Sequence, residues 1–408
     1  MELFTALASV ALPELFLAGW AMLLLIVGAS LPAHRTAVVQ VLALVGLAFS
    51  LLIQQHTQLP SQAILLFKPD AFSQFCNIVL TVLTGLAMLS AADYWERHKR
   101  HLPEFYVLLT LALLGVRLML AADDFLLLYI GLEMLSFSVY ILAAFLRDNA
   151  KSAESALKYF ALGALASGIF LYGISLLYGI AGSTHFGVIT QATAMATTQP
   201  NMALAAALVM VVVGLLFKVS AMPFHMWTPD VYEGAPTPVT ALMAGMAKLA
   251  AVALTLRVLD GVFGHTFTLL QWPLEILAAV TMIGGALMAI IQNNIKRLLA
   301  YSSISQAGFL LMGVVAGTAE GVASVLFYLT IYGLTVAGLF AVILQLRQQN
   351  IYAETLQDIK GLAKDAPMTA LVMLVCLFSL SGVPPMAGFF AKFYVFKAAL
   401  QAGMVELV

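Results

Sequence analysis

The sequence predicts an all-α fold, a polytopic transmembrane helix bundle of about 12 spans, from three observations. Of its 408 residues, 62% are hydrophobic and 10% are charged, whereas soluble domains carry about 25% charged residues. Twelve apolar stretches approach the roughly 20 residues that a helix needs to cross a bilayer. Their apolar residues run continuously instead of alternating as in membrane β-strands. Nucleic acid is excluded as a partner, because the net charge is −1 and no basic cluster could follow phosphates.

The predicted spans follow one another with short connections and no long soluble domain. They lie at residues 10–31, 36–54, 72–93, 103–121, 124–146, 153–180, 201–223, 238–259, 269–292, 299–317, 320–346 and 367–402. No basic stretch precedes the first span, which argues against a cleavable signal peptide. Cys76 and Cys376 stand alone in apolar runs, so we expect buried thiols and neither a disulfide nor a metal site.

Basic residues in the loops predict the orientation, because they concentrate on the inner side of a membrane. If the N-terminus lies outside, only Lys68 and Arg257 fall in outer loops. Eleven basic residues then fall in inner loops, namely Arg35, Arg97, Lys99, Arg100, Arg147, Lys151, Lys296, Arg297, Arg347, Lys360 and Lys364. Both termini are therefore expected on the outer side.

Six basic residues lie inside the predicted spans, where a central charge costs about 2.5–3.5 kcal/mol and marks a functional candidate. They are Arg117, Lys158, Lys218, Lys248, Lys392 and Lys397. Glu133 is the acidic residue assigned to a span. Position along the spans puts Glu133, Lys248 and Lys392 near the middle of the membrane. Arg117 and Lys397 lie near outer ends, and we expect their side chains to reach the interface.

Lysines near a carboxylate at membrane depth can form a proton relay. Burial favours the neutral amine, and a nearby carboxylate favours the charged one. A change in the distance between Glu133 and a lysine would therefore release or capture a proton, and Ser136, Ser138 and Ser220 could hold water nearby. A purely structural ion pair is the alternative. For Lys158, near an inner end, a side chain that reaches the interface is a further alternative.

Two spans are interrupted beside a lysine. Pro223 follows Lys218, and Pro384 and Pro385 precede Lys392. Proline removes a helical hydrogen bond and clashes with the preceding turn. Transporters place such broken helices in corresponding halves of an inverted repeat. The interruptions fall in spans seven and twelve, which predicts inverted five-helix repeats with helices 7 and 12 broken.

The domain organisation follows from these repeats. Residues 1–121 would hold helices 1–4, the fourth of which opens the first repeat. Residues 103–260 would form that first antiporter-like repeat, helices 4–8. Residues 269–408 would form an incomplete second repeat, helices 9–12.

The segment after the first interruption carries several polar and aromatic side chains. His225 could give protons access to Lys218, because an unperturbed histidine titrates near pH 6.5; an interfacial, hydrogen-bonded histidine is the alternative. Trp227 and Tyr232 are typical of the aromatic belt at a membrane surface. Asp230 and Glu233 are expected to cap a short helix or loop.

Three runs of the sequence resemble a known family. FKVSAMPFHMWTPDVYEGAPTPVTA, NNIKRLLAYSSISQAGFLLMG and GVPPMAGFFAKFYVFKA are similar to the antiporter-like membrane subunits of respiratory complex I, and the similarity extends along the chain from the first span. The resemblance implies that Glu133 pairs with Lys218, that Lys248 is a connecting lysine of the proton relay, and that Lys392 is the last residue of that relay. It assigns Lys158 to a network on the inner side.

The resemblance also implies a function, proton translocation driven by electron transfer in other subunits of NADH:quinone oxidoreductase. It implies a bacterial inner membrane, membrane and peripheral partner subunits, and no cofactor on this chain. NADH, FMN, iron–sulfur clusters and quinone are expected on partners. Family members usually have fourteen helices, so the second repeat would lack its last members here. A cation/proton antiporter subunit of the Mrp type and a structural membrane scaffold are the alternatives.

Overall fold

The computed structural model of the chain describes residues 7–32, 36–60, 62–98, 100, 102–196, 202–264, 268–346 and 354–408. Its helices are α1 (Leu12–Ser30), α2 (Thr36–His56), α3 (Ala71–Arg97), α4 (Glu104–Leu120), α5 (Phe125–Ala143), α6 (Ala150–Ala181), α7 (Phe186–Ala196), α8 (Met202–Val219), α9 (Trp227–Gly234), α10 (Thr237–Val262), α11 (Thr268–Ile290), α12 (Ile295–Val315), α13 (Ala319–Leu346), α14 (Leu362–Asp365), α15 (Pro367–Ser381) and α16 (Ala387–Gln401). In this part of the chain, ten helices are long and apolar enough to cross a membrane. The predicted all-α transmembrane bundle is confirmed, whereas the count of twelve spans and the five-helix repeats stay predictions.

The helices depart from the predicted spans most clearly around the first interruption. The short helix α7 occupies a stretch that was expected to be a loop. α8 ends at Val219 instead of residue 223, because Ser220 has a φ of 66°, which a right-handed helix does not allow. Residues 227–234 then form the separate short helix α9.

The chain divides into two compact units, each described by itself. The first comprises Met1–Leu142 and Ala181–Ile189, and the second comprises Ala143–Ile180 and Thr190–Val408. The division into predicted repeats stays a prediction.

Close backbone crossings hold the helices of the first unit together. α1 to α4 pack against one another, and a Cβ at Gly46 on α2 would collide with the indole of Trp20 on α1. That indole donates its Nε1 proton to Leu42 O at 2.9 Å. α4 and α5 also approach closely, since a Cβ at Gly115 would lie 2.6 Å from the carbonyl oxygen of Gly131. Small residues allow this approach, on which helix packing in lipid depends.

Arg117 was expected to reach the membrane interface, and that expectation is wrong. The side chain has no exposed surface, and its Nε donates to Glu14 Oε1 at 2.9 Å. Nη2 donates to Gln54 Oε1 at 2.8 Å and Nη1 to Ser50 Oγ at 3.4 Å. Burial is possible because Glu14 supplies the countercharge. Glu14 lies in the first predicted span, although only Glu133 was expected to be an acidic residue inside a span. Lys397, for which the same expectation was made, is exposed.

The second unit is built around α10, which is almost wholly buried. α10 contacts α8, α12 and α13. Its turns are π-helical at Met243–Ala247 and at Arg257–Val262, and π-helical turns are frequent at functional sites. α11 and α12 form a tightly packed hairpin, in which a Cβ at Gly285 would lie 2.5 Å from the amide nitrogen of Ser305.

The second interruption separates α15 from α16. α15 ends at Ser381, and Gly382 follows with a φ of 82°, a left-handed conformation that glycine adopts without strain. α16 folds back closely on this end, since a Cβ at Gly388 would collide with the Ser379 carbonyl oxygen. The break therefore brings the start of α16 against the carbonyl end of α15.

Five basic residues assigned to the inner loops lie in helices instead, namely Arg97 in α3, Lys151 in α6, Lys296 and Arg297 in α12, and Lys364 in α14. Lys296 belongs to α12, is 8% exposed and donates from Nζ to Ala235 O at 2.9 Å. Arg35, Lys99 and Arg347 lie outside the described residues. The sidedness of the termini stays a prediction.

Candidate functional site

Lys248 occupies the centre of the second unit. It follows the first π-helical turn of α10, and only 3% of its surface is exposed. Its Nζ donates to Ser303 Oγ at 2.8 Å, and that hydroxyl donates to Ala300 O at 2.8 Å. Among the residues that the structure describes, no carboxylate pairs with Lys248. A proton on this amine is therefore held by a neutral hydroxyl.

Buried hydroxyls continue from Ser303 along α13. Tyr332 lies one helical turn after Tyr328 on the same face of α13, both are buried, and the Tyr332 hydroxyl lies near Ser303. Tyr328 donates to Gln306 Oε1, and Gln306 Nε2 donates to Leu380 O at 2.9 Å. A row of polar groups thus leads from Lys248 to the end of α15.

Lys392 lies at the other side of that helix end. Its Nζ donates to Ser381 O at 3.1 Å and sits 4.6 Å from the centre of the Phe309 ring. The carbonyl end of a helix and the face of an aromatic ring both favour a positive charge. Lys392 is thus held next to Leu380, where the row from Lys248 ends.

Lys218 lies half-buried in the last turn of α8, immediately before the interruption. Neighbouring side chains bond the backbone groups that the interruption leaves without helical partners. Trp227 Nε1 donates to Phe217 O at 3.1 Å, and Met222 N donates to Thr281 Oγ1 at 3.0 Å. Backbone freed at membrane depth needs such partners.

His225, in the interruption, has a buried Nδ1 without a hydrogen-bond partner among the described residues. Burial holds the pKa of His225 below its usual value. The backbone of Pro223 partly opposes this shift, and the positive charge of Lys248 adds to it. Trp227 and Tyr232, expected in an interfacial belt, are instead buried, with 5% and 0% of their surface exposed. They pack inside the unit, where Trp227 stacks on Tyr159 at 4.4 Å between ring centres.

Lys158 lies in a different environment, a network of ion pairs around an open cleft of about 270 Å³. Its Nζ is 2.8 Å from both Asp230 Oδ2 and Glu154 Oε1. Arg297 Nη1 contacts Asp230 Oδ1 at 2.9 Å and Glu233 Oε2 at 3.2 Å. Asp230 and Glu233 thus pair with cations. They lie within α9 and were expected to cap a helix or loop, but the N-cap of α9 is Met226 and no side chain makes a capping hydrogen bond there. Partial burial pushes the pKa of Asp230 up, but Lys158 and Arg297 hold it below its usual value.

Glu133 belongs to the first unit, on α5. Its Oε1 is buried and has no hydrogen-bond partner within the described ranges. Tyr129 and Tyr140 lie close enough to interact electrostatically with the Glu133 carboxylate. The pairing of Glu133 with Lys218 stays a prediction.

Sequence reasoning missed the uncharged members of the row, Ser303, Gln306, Tyr328 and Tyr332. Ser303 and Gln306 are three residues apart on α12, which puts them on one helix face. That spacing within an apolar span was the signal available in the sequence. Neither cysteine forms a disulfide, and Cys76 is buried while Cys376 is half-buried. The described residues contain no group that could hold a metal ion.

The family model described as NADH:quinone oxidoreductase/Mrp antiporter, TM, matches residues 122–408. The chain belongs to this family. NADH-quinone oxidoreductase subunit N of Parvibaculum lavamentivorans is 46% identical over 400 residues, which cover 97% of this chain and 82% of the relative. The protein of the same name from Paramagnetospirillum magneticum is 44% identical over 403 residues, with the same coverage. The resemblance seen in the sequence is confirmed.

Solved structures of this family show the same fold. A chain of respiratory complex I from Thermus thermophilus superposes with a TM-score of 0.81 at 33% identity, covering 97% of this chain and 84% of that chain. A chain of the Mrp complex from Dietzia sp. superposes with a TM-score of 0.85 at 25% identity, covering 98% of this chain and 76% of that chain.

Proposed function

We propose that this chain is a proton-translocating membrane subunit of an NADH:quinone oxidoreductase, the counterpart of subunit N of complex I. One observation carries the proposal beyond the family relationship: Lys248 is buried without a carboxylate and begins a row of polar groups that ends beside Lys392. A buried amine with only neutral partners can lose its proton without breaking an ion pair. Such a group can hand protons on, which a structural ion pair cannot do.

The lysines take different steps in this proposal. Lys218 exchanges a proton while Glu133 supplies the countercharge that holds it. Lys248 receives the proton and passes it by way of the hydroxyl row, and Lys392 holds it at the end of α15. His225, neutral near pH 7, is the candidate for access to Lys218. Water would be needed wherever donor and acceptor are not in direct contact.

Lys158 has a different role in the proposed relay. Its proton is held by two carboxylates, so in the proposal it fixes the inner end of the relay electrostatically through Asp230. Pro223, Pro384 and Pro385 supply the helix breaks. The two five-helix repeats, residues 103–260 and 269–408, would each contribute one broken helix.

The other parts of the machine are assigned to partner subunits. NADH, FMN, iron–sulfur clusters and quinone would bind there, and electron transfer would drive proton movement in this chain through the assembled complex. The membrane would be the bacterial inner membrane, with both termini on the outer side. The outer location follows from the excess of basic residues in alternate loops.

The Mrp-type antiporter is the second candidate, since the Mrp chain has the same fold. The identity with it is 25%, compared with 42–46% for the proteins named subunit N. The two functions differ in their driving force. Sodium-dependent proton flux in vesicles without NADH would support the antiporter and contradict our assignment.

The test replaces Lys248 in the assembled complex, reconstituted in vesicles. For Lys248→Ala we expect NADH-driven proton uptake to fall about tenfold or more, because loss of a positioned proton-transfer group costs at least that much. Lys364→Ala is the control, since Lys364 is exposed on α14. Lys218→Ala and Glu133→Ala should behave like Lys248→Ala. Normal uptake and coupling in these variants would contradict the relay, and lost uptake with normal assembly would exclude a mere scaffold.

A further inference from the structure

We propose that Gln306 is a positioning residue of the relay: its carboxamide ties the carbonyl end of α15, beside Lys392, to the hydroxyls that lead back to Lys248. The inference rests on the proposed function, because it names a further residue of the same row. The role of Gln306 differs from that of the lysines, because a carboxamide neither takes up nor releases protons near neutral pH.

The end of α15 shows why a donor is needed there. The last four carbonyls of a helix lack partners within it. In α15, the amide of Gly382 satisfies Phe378 and Ser379. The two remaining carbonyls point to side chains from other helices: Leu380 O accepts from Gln306, and Ser381 O accepts from Lys392. Gln306 and Lys392 therefore share one helix end through adjacent carbonyls.

The chemistry of the partners fixes the direction of each hydrogen bond. A backbone carbonyl can only accept, so the amide nitrogen of Gln306 must face Leu380. Its oxygen then faces Tyr328, which must donate to it. The Tyr328 proton is thus directed away from the rest of the row, and the oxygen of that hydroxyl is free to accept. Since Gln306 is 5% exposed and Tyr328 is 2% exposed, water does not readily replace either partner.

Loss of the carboxamide would affect both ends of this link. Leu380 O would be buried without a donor, and the ammonium of Lys392, which bonds the adjacent carbonyl of Ser381, has three protons to donate. Lys392 would then be held by two carbonyls instead of one. Tyr328 would lose its acceptor and could turn its proton toward Tyr332. Both changes oppose transfer from Lys248 to Lys392.

Three variants in the assembled, reconstituted complex test this link. Gln306→Leu keeps the approximate volume and removes both hydrogen bonds. We expect proton uptake per quinone reduced to fall about tenfold, because an unsatisfied buried group shifts the equilibrium of its neighbours by about that factor. Tyr328→Phe removes one bond and should have a smaller effect. Gln292→Leu is the matched control, because the carboxamide of Gln292 donates to Met288 O in its own turn at 3.0 Å.

Gln306→Glu separates positioning from packing. A protonated carboxyl has one donor and one acceptor, as the carboxamide link requires, whereas an ionised carboxyl has no donor. Proton uptake by this variant should approach the wild-type level at low pH and fall toward that of Gln306→Leu as the pH rises. Lys392 and Tyr328 can themselves titrate, and both are present in the wild type and in Gln306→Glu. Proton uptake by the variant is therefore divided by that of the wild type measured at the same pH.

The outcomes are distinct. Rescue of Gln306→Glu at low pH supports positioning by hydrogen bonds. If Gln306→Leu pumps normally while Lys248→Ala does not, the link is wrong and the relay stands. If Lys248→Ala also pumps normally, the proposed function itself fails. Equal loss in Gln306→Leu and Gln306→Glu at every pH, with normal assembly, would overturn the positioning role.

Discussion

The ion pair between Arg117 and Glu14 gives a stability prediction whose sign depends on which partner is removed. Arg117 has no exposed surface, Glu14 is 6% exposed, and their closest atoms are 2.9 Å apart. In Arg117→Leu, the Glu14 carboxylate stays buried without its countercharge, and Gln54 loses its donor. Breaking a buried pair in this way costs about 3–5 kcal/mol, or roughly a thousandfold in the folding equilibrium.

Removing both charges should behave differently. The double variant Glu14→Leu with Arg117→Leu leaves no buried charge, and replacing a buried pair with apolar residues is often neutral or stabilises by about 1–4 kcal/mol. The expected order of stability is therefore the double variant at or above the wild type, with Arg117→Leu well below both. A large difference in stability between Arg117→Leu and the double variant would show that the two charges stabilise each other.

The assay is a heating series on the purified complex in detergent, with the surviving assembled fraction read on native gels. Arg97→Leu is the control, because Arg97 has a 42% exposed side chain and lies 4.0 Å from Asp93, a surface pair worth about 0–1 kcal/mol. If Arg117→Leu survives heating as well as the double variant does, the pair contributes no coupling and our account of Arg117 is wrong.

Three further outcomes follow from the structure. Ser303→Ala removes the hydroxyl that holds Lys248 and should lower proton uptake several-fold, while Ser303→Thr restores it; equal uptake in both would contradict the role of the hydroxyl. Gly115→Ala places a methyl group 2.6 Å from Gly131 O and should cost about 1–3 kcal/mol in the same heating assay. The pKa of Asp230 is lowered on folding, so its stabilisation is complete above about pH 4 and is lost as the pH falls further. Asp230→Asn should therefore remove that acid-dependent part of the melting curve.

The fold was predictable because bilayer thickness sets the length of each apolar run. The helix breaks were predictable from proline and glycine, whose effect on a helix is local. The partners of buried charges were not, because they come from distant parts of the chain. Arg117 and Glu14 are 103 residues apart, and position along a span does not reveal whether a countercharge faces it.

The candidate site shows the same limit in another form. Counting ionisable residues in apolar spans found Lys248 and Lys392 but could not find the uncharged groups between them. Ser303 and Gln306 carry no insertion penalty comparable to a charge, so they do not stand out from other polar residues in helices. Only the packing of α12 against α13 and α16, together with the hydrogen bond from Gln306 to the end of α15, turns them into a row.

Charge compensation distinguishes the lysines more sharply than depth does. Lys158 has two carboxylates at 2.8 Å, Lys248 has one hydroxyl, and Lys392 has one carbonyl and an aromatic ring. Deprotonating Lys158 would leave two anions without a shared cation, whereas deprotonating Lys248 or Lys392 breaks no ion pair. A relay needs groups for which the charged and neutral forms are close in free energy. By that criterion we infer, as part of the proposed relay, that Lys248 and Lys392 carry transferable protons and that Lys158 supplies a fixed charge.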